Sequence, residues 1–385
     1  MPRKGKQKHQ TYMRFNVEGK TFQQQLSAVS KVINAKNALS ILDNFLLKVE
    51  GDRLSITGSD QENVLTAFMT ITESECDGAI AVSAKRLLEI TKEISSQPLT
   101  FYINDETKEI DIRFLNGHFN FMGVDAAEYP GRRKTEEQTL RMMIPASVVQ
   151  KGIENTLFAV SPDTVRPIMT GIYWDIHEDN VTFVSSDTHK LVRYINSETA
   201  PGFEASFILP AKPANILKGI IGKDDADIKI DFDSKGATFE LGDYLLSCLF
   251  INGNYPNYNR VIPENNPFEM TIDRVSLLTA LRRVSIFAAK SSNLVVLDIQ
   301  PNEVILHAQD LDYGTSAEER VNCGYEGNSM TIGFNGQFMI EILNNLHDDS
   351  VVLKLSDPAR PGTYTPLQQQ PGEDTVIIQM PMQVI

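Results

Sequence analysis

The chain has 385 residues, of which 42% are hydrophobic and 22% are charged, the composition of folded globular domains and not of a disordered or fibrous chain. The formal net charge of −14, taken alone, argues against nucleic acid as a partner. No apolar run is long enough to span a bilayer and no signal-peptide pattern follows the first residue, so we expect a cytoplasmic protein.

The predicted elements follow one order three times along the chain. Each unit begins with a short strand and continues with a helix, alternating strands, a second helix and further strands. The first strands are expected at residues 14–17, 141–144 and 269–272, and the helices at 21–42, 83–96, 145–161, 210–223, 273–290 and 335–347. This order predicts the α+β class, with three tandem repeats of one antiparallel-sheet domain that carries two helices.

Landmark residues keep the three units in phase. Asp60, Asp187 and Asp310 each follow an alternating apolar stretch, at spacings of 127 and 123 residues. Each unit also ends on a dipeptide that contains proline: Tyr129-Pro130, Tyr255-Pro256 and Met380-Pro381. Because a solenoid repeats every 20 to 50 residues or so, a period this long indicates three whole domains of one fold.

The repeat sets the expected domain boundaries. We place the first domain at residues 13–136, the second at 137–265 and the third at 266–385. Residues 1–12 are basic and polar and stand outside the repeat. They are expected to be a disordered extension, and a tail that touches DNA is the alternative.

Charge is segregated between the helices and the rest of the chain. The six predicted helices carry a formal charge of +8, and subtracting this from −14 leaves −22 elsewhere. A cationic helix layer would hold duplex DNA loosely through its phosphates, while the acidic remainder would discourage binding elsewhere. On charge alone, six ordinary solvated helix faces are an equally good interpretation.

Enzyme chemistry is not favoured. The recurrent aspartates are a possible metal-dependent nuclease site, but equivalent positions in separate domains should lie far apart, so a turn-capping role is preferred. The three cysteines, Cys76, Cys248 and Cys323, are widely separated, which favours reduced core thiols over disulfides or zinc. We expect no metal and no cofactor. A hydrolase that processes DNA and a peptide scaffold unrelated to DNA remain the alternatives.

Four motifs resemble the bacterial replicative sliding clamps, the beta subunits of DNA polymerase III, and the likeness runs over residues 13–385. The motifs are SDTHKL at 186–191, YPNYNRVIP at 255–263, IGFN at 332–335 and MPM at 380–382. The resemblance implies a processivity factor that forms a head-to-tail homodimer, a closed ring of six domains with the helices lining the hole. Contacts to base edges would be harmful there, because they would create sequence-dependent stopping places.

The resemblance also implies the partners and the DNA-contacting residues. The partners would be double-stranded DNA, a second copy of the chain, the replicative polymerase catalytic subunit, the clamp loader, translesion polymerases, mismatch-repair proteins and ligase. Lys36 matches a DNA-contacting residue near the end of the first helix, and Arg166 matches a basic position near the DNA path. Other candidates are assigned only by their place on the helices: Lys31, Lys85, Arg86, Lys212, Lys218, Arg282 and Arg283.

A pocket for partner peptides is implied between the second and third units. Its residues would be Met169, Ser186, Thr188, His189, Lys190, Leu191, Pro256, Arg260, Val261, Asn335, Phe338, Ile378, Met380, Pro381 and Met382. An adaptable apolar floor would be formed by Met169, Leu191, Val261, Met380 and Met382. His189, Lys190 and Arg260 would meet backbone carbonyls or an acidic peptide residue at the rim.

Three departures from the family pattern affect this pocket. Thr188 and Lys190 replace an expected glycine and arginine, and Gln383 replaces a basic residue near the terminus. The loop at residues 358–370 is longer than expected. Peptide preference is therefore expected to differ in detail.

The implied dimer seam joins the first unit of one chain to the third unit of the other. Phe119 and Phe121 on one strand face, together with Ile286 and Phe287, match its apolar positions. Exposed aromatic residues on an edge strand would be an aggregation hazard unless a partner covered them.

Overall fold

A computed structural model describes residues 12–131, 139–223 and 227–384. Residues 1–11 of the expected extension lie outside this range, as does the segment that contains the expected boundary at 136/137. Tyr12 already belongs to the first strand. Among the described residues, none of the helices has the length and apolarity needed to cross a membrane.

The first repeat runs strand, helix, strands, helix, strands. Its strands are β1 Tyr12–Val17, β2 Asn44–Glu50, β3 Arg53–Ser59, β4 Asn63–Thr70, β5 Thr72–Glu75, β6 Gly78–Ser83, β7 Leu99–Asn104, β8 Glu109–Phe114, β9 Gly117–Met122 and β10 Val124–Asp125. Its helices are α1 Gly19–Ser30 and α2 Ala84–Ile94.

The second and third repeats keep this order. The second contains β11 Leu140–Pro145, α3 Ala146–Thr156, β12 Gly171–Ile176, β13 Val181–Ser186, β14 Lys190–Asn196, β15 Ala205–Pro210, α4 Ala211–Ile220, β16 Asp227–Phe232, β17 Gly236–Leu241 and β18 Tyr244–Leu249. The third contains β19 Phe268–Asp273, α5 Arg274–Val284, β20 Leu294–Gln300, β21 Glu303–Asp310, β22 Thr315–Tyr325, β23 Met330–Asn335, α6 Gly336–Asn345, β24 Ser350–Leu355, β25 Gly362–Pro366 and β26 Glu373–Gln379. The predicted α+β repeat architecture is confirmed.

The described residues form two compact units. The first unit contains the described residues of the ranges 1–143 and 215–249, and the second contains those of the ranges 144–214 and 250–385. The first contains a five-stranded sheet, β5-β1-β7-β8-β9, and a nine-stranded sheet, β10-β6-β2-β3-β4-β18-β17-β16-β11. The second contains a twelve-stranded sheet, β15-β12-β13-β14-β26-β25-β24-β19-β22-β21-β20-β23.

The units do not follow the repeats, because neighbouring repeats share sheets. Strand β4 of the first repeat pairs with β18 of the second, with Leu65 opposite Leu246. In the same way β14 of the second repeat pairs with β26 of the third, with Leu191 opposite Ile378. Hydrogen-bonded ladders therefore run through the repeat boundaries, and the exact domain limits stay a prediction.

Apolar alternation places the core as the sequence indicates. On α5, Leu277, Leu281 and Val284 form one stripe that is buried against the sheet of the second unit. In the first unit the ring of Phe101 stacks on Phe15 at 4.8 Å and meets Phe22 edge-on at 5.3 Å.

Three local predictions are wrong. The first helix ends at Ser30 instead of continuing to residue 42, because the amides of Val32 and Ile33 bond to carbonyls three residues back and tighten the chain into turns. The segment 358–370 is not only a loop, since β25 lies within it. Cys76 is exposed and is not a core thiol, although all three cysteines are free.

Candidate functional site

The recurrent aspartates cap turns, as the sequence predicts. The Asp60 carboxylate accepts hydrogen bonds from the amides of Glu62 and Asn63, and Asp187 accepts them from His189 and Lys190. Asp310 does the same for the second and third residues after it. In each repeat one carboxylate oxygen of the aspartate thus caps the turn that follows the strand.

An apolar pocket lies at the second of these turns. Its volume is ≈ 230 Å³, and it brings together ten of the residues expected there: Met169, Ser186, Thr188, His189, Lys190, Leu191, Pro256, Val261, Ile378 and Met380. The end of the chain is fastened to the turn, because the Met380 amide donates to the His189 carbonyl at 2.8 Å. The pocket wall is therefore built from segments of the second and third repeats.

Three further residues, Tyr255, Asn257 and Tyr258, line the pocket. Tyr255 stacks on Tyr173 at 4.7 Å, and burial raises the pKa of its hydroxyl. The Tyr258 hydroxyl donates to Asp175 at 2.8 Å. The YPNYNRVIP motif, which begins with the Tyr-Pro landmark, contains all three residues and was the signal that could have identified them.

Five expected residues do not line this pocket. Phe338 lines an adjoining cleft of ≈ 610 Å³, and the exposed side chain of Arg260 is outside the lining. Asn335 caps α6 by accepting from the amides of Gln337 and Phe338. Pro381 and Met382 are not among the lining residues, and the Met382 amide donates to the Gly333 carbonyl on β23 at 2.8 Å.

Lys190 does not offer a free charge at the rim. Its ammonium lies 2.6 Å from Asp187 and 2.9 Å from Glu341, and it also sits over the Phe338 ring at 4.3 Å. The side chain is only 4% exposed. Burial requires such a cation to be paired within the protein, so a peptide would find it already neutralised.

The resemblance leads us to expect glycine at position 188, and the backbone of Thr188 explains why glycine would suit it. Its φ is +77°, in the left-handed region that β-branched residues rarely adopt. His189, beside it, is exposed and stacks on Phe338 with ring centres 5.6 Å apart. His189 is thus the rim residue of the expected set that lines the pocket and remains open to solvent.

The basic residues divide into those on helices and those in loops. Lys85 and Arg86 lie on α2, Lys212 and Lys218 on α4, and Arg282 and Arg283 on α5. Lys31 follows α1, and its ammonium donates to the Gly219 carbonyl near the end of α4 at 3.2 Å. Lys36 lies in a loop beyond α1, so its expected position on the helix is wrong.

Some of these cations already have protein partners. Arg283 pairs with Glu319, Arg282 donates to Asn344 at 2.9 Å, and the Arg86 guanidinium lies 5.8 Å from the Phe121 ring centre. Arg166 lines the cleft that adjoins the pocket and is not on a helix.

The charge segregation persists with the observed helix bounds. The formal charge is +3 on α5, +2 on α4, +1 on each of α1 and α2, 0 on α3 and −1 on α6. These values give +6, and subtracting +6 from −14 leaves −20 for the rest of the chain.

The expected seam residues differ in exposure. Ile286 is 77% exposed and Phe287 39%, both in a short 3₁₀ helix after α5. Phe121 is 8% exposed within the single chain, so its predicted exposure is wrong. Phe119 and Phe121 stand opposite Ile112 and Ile110 on β8, and they therefore extend the core face of the sheet.

Comparisons with known proteins agree over nearly all of the chain. Residues 13–133, 143–257 and 259–383 match the models of the N-terminal, central and C-terminal domains of the DNA polymerase III beta subunit. The beta sliding clamp of Synechococcus elongatus is 29% identical over 370 residues, 93% of this chain and 96% of that protein. The beta sliding clamp of Treponema pallidum is 27% identical, and the match covers 96% of this chain and 100% of that protein.

Solved structures show the same fold. The DnaN sliding clamp of Pseudomonas aeruginosa bound to griselimycin has a TM-score of 0.91 at 23% identity, covering 97% of this chain and 100% of that one. The beta subunit from DNA polymerase of Streptococcus pyogenes has a TM-score of 0.91 at 20% identity, and the match covers 96% of this chain and 100% of that one. The chain therefore belongs to the DNA polymerase III beta subunit family and is a DNA sliding clamp, a processivity factor without catalytic activity of its own.

Proposed function

We propose that two copies of the chain close head to tail around duplex DNA in the cytoplasm, with the domain limits given above. The replicative polymerase catalytic subunit, the clamp loader, translesion polymerases, mismatch-repair proteins and ligase would be tethered through the apolar pocket. The observation that carries the proposal is this pocket, which is lined mainly by apolar side chains and is closed by the end of the chain at Met380.

The lining suits a family of related peptides. Met169 and Met380 are flexible and polarizable, so they adapt to different apolar anchors. The neighbouring Lys190 charge is neutralised, which leaves apolar burial as the main contribution to peptide affinity.

The helix cations support a loose, sequence-independent hold on DNA. Lys85, Arg86, Lys212, Lys218, Arg282 and Arg283 lie on helices, and Lys31, Lys36 and Arg166 are proposed as further contacts. Phosphate contacts of this kind carry no base information and weaken as salt rises. A closed ring stays on DNA without tight binding, because its retention is topological.

Two free strand edges support the seam. Strand β9 is the outermost strand of its sheet in the described part of the chain. On one side of β22, residues 315–322 pair with β21. On its other side only residues 323–325 pair with a described strand, β19, so residues 315–322 have a free edge there among the described residues. An unpaired strand edge is a template for pairing with another chain, so these two edges are suited to a head-to-tail contact.

The test of the ring uses DNA topology. The protein, loaded on a nicked circular plasmid by its cognate clamp loader, is expected to co-elute with the plasmid in gel filtration at high salt. Cutting the plasmid with a restriction enzyme should release it, because a ring slides off an end. Equal retention on the linear product would contradict encirclement.

The test of the pocket uses the end of the chain. Deleting residues 380–385 should abolish binding of a fluorescent polymerase-derived peptide, because Met380 is lost from the pocket wall. The matched control deletes residues 383–385 only, which leaves both Met380 and the Met382 bridge to Gly333. Light scattering should give the same mass for both proteins. Undiminished peptide affinity after the longer deletion would refute the pocket assignment.

A further inference from the structure

The wall of the pocket that comes from the segment 255–261 is fastened to β12. Alternate residues of β12 are buried in the core, and Tyr173 and Asp175 lie on the opposite face of the strand. The ring of Tyr255 stacks on Tyr173 at 4.7 Å, and the Tyr258 hydroxyl donates to Asp175 at 2.8 Å. Two positions on one face of β12 thus contact the two tyrosines of the wall.

The contact with Asp175 is the directional one for Tyr258. The Tyr258 side chain lines the pocket and is 8% exposed. It packs in a small apolar cluster whose other buried members are Val184, Leu191, Val376 and Ile378. Apolar contact is non-directional and by itself selects no position for the hydroxyl, whereas a hydrogen bond has a preferred distance and angle. Because Tyr258 begins the short 3₁₀ helix Tyr258–Val261, the bond to Asp175 also holds the pocket residue Val261.

Asp175 is itself held by a charged partner. Its Oδ2, the atom that accepts from Tyr258, lies 3.4 Å from Nε2 of His177, and Nδ1 of His177 lies 2.8 Å from Glu204. Burial lowers the pKa of His177, but the contacts with Glu204 and Asp175 outweigh it and raise the pKa above its ordinary value. The imidazole therefore favours its cationic form between the two carboxylates, which keeps Asp175 ionised and facing the wall.

We propose that Asp175 is a positioning residue for peptide binding, which fixes the Tyr258 hydroxyl and through it the wall segment, although its own side chain is not in the pocket lining. The inference rests on the proposed peptide pocket and names a residue that supports it. A wall that is ordered in advance binds a peptide more tightly, because no affinity is lost in ordering the wall on binding.

The first test removes the hydroxyl and keeps the ring. Tyr258→Phe should bind a fluorescent polymerase-derived peptide about three- to tenfold more weakly in titration, because the wall then has to be ordered on binding. Tyr129→Phe is the matched control, since Tyr129 is 7% exposed and its hydroxyl donates to the Asn44 carbonyl at 3.3 Å in the first unit. The control should lower the thermal midpoint and leave the peptide affinity unchanged.

Variants of Asp175 separate positioning from a general structural role. Asp175→Leu should weaken the peptide as much as Tyr258→Phe does, and the double variant should be no weaker than either, because both changes break one bond. Asp175→Asn should keep an affinity within about twofold of the parent, since its amide oxygen still accepts from the hydroxyl. Additive losses in the double variant, or an Asp175→Asn protein as weak as Asp175→Leu, would overturn the positioning role.

Failure of the inference differs from failure of the proposed pocket. If the deletion of residues 380–385 abolishes peptide binding while Tyr258→Phe binds like the parent, the pocket stands and the role of Asp175 is overturned. If both proteins bind the peptide like the parent, the pocket assignment is itself wrong and the inference is lost with it.

Discussion

At the start of β14, Lys190 carries a buried charge that is balanced by carboxylates from two repeats. Asp187 lies in the same turn, whereas Glu341 comes from α6 of the third repeat. In the first repeat Asn63 occupies the corresponding place, and its amide donates to both oxygens of Asp60. The two turns share one backbone geometry, but only the second contains a buried ion pair.

This difference predicts that the same change, aspartate to asparagine, lowers the free energy of unfolding by different amounts in the two turns. Asp187→Asn should lower the free energy of unfolding by about 3 kcal/mol, because it leaves a buried ammonium with Glu341 as its one remaining carboxylate. Asp60→Asn should cost about 1 kcal/mol, since the amide oxygen still accepts from the turn. Urea unfolding of both variants measures the contrast. Equal losses at the two sites would show that the Lys190 pair adds nothing to stability.

At the scale of elements, the end of the chain is joined to β23 by an isolated antiparallel bridge between Met382 and Gly333. Gly333 permits this, because a Cβ there would lie 2.9 Å from the Met382 carbonyl oxygen and 3.0 Å from Val384. Met380, which lines the pocket, is thus held on one side by His189 and on the other through Met382. The tail position depends on a residue that does not line the pocket.

Gly333→Val should therefore weaken peptide binding from outside the pocket. Loss of the bridge frees the tail, and ordering it again on binding would lower the affinity about three- to tenfold. Gly324→Val on β22 is the matched control, because a Cβ there would have its nearest neighbour at 3.7 Å. Fluorescence titration of both variants with one peptide measures the difference. A parent-like affinity in Gly333→Val would mean that the bridge does not position Met380.

Local signals in the sequence predicted the elements well, and contacts distant in sequence account for the errors. Period-two alternation identified strands such as β8, and the aspartate turns were recognised because their hydrogen bonds span only three residues. The burial of Phe121 depends on its pairing with Ile110 and on Arg86 of α2. The neutralisation of Lys190 depends on Glu341, 151 positions later in the sequence. Neither contact leaves a periodic signal.

At the scale of the whole molecule, the proposed peptide binding and the proposed encirclement would depend on different parts of the chain. The pocket is complete within the second unit of one chain. The proposed encirclement would require a second chain, and the helix charge of +6, against −20 elsewhere, would be useful there if the helices face DNA. The two activities should therefore be separable by one substitution at the seam.

Phe287→Glu is the substitution that should separate them. Burying an unpaired carboxylate in an apolar seam costs several kcal/mol, so light scattering should give the mass of one chain. The monomer should bind the fluorescent peptide with parent-like affinity yet fail to stay on circular DNA. Leu249→Glu is the control, because Leu249 is 37% exposed, close to the 39% of Phe287, and lies outside the proposed seam. A Phe287→Glu protein that remains a dimer would place the seam elsewhere, whereas loss of peptide binding in the monomer would mean that the pocket needs the second chain.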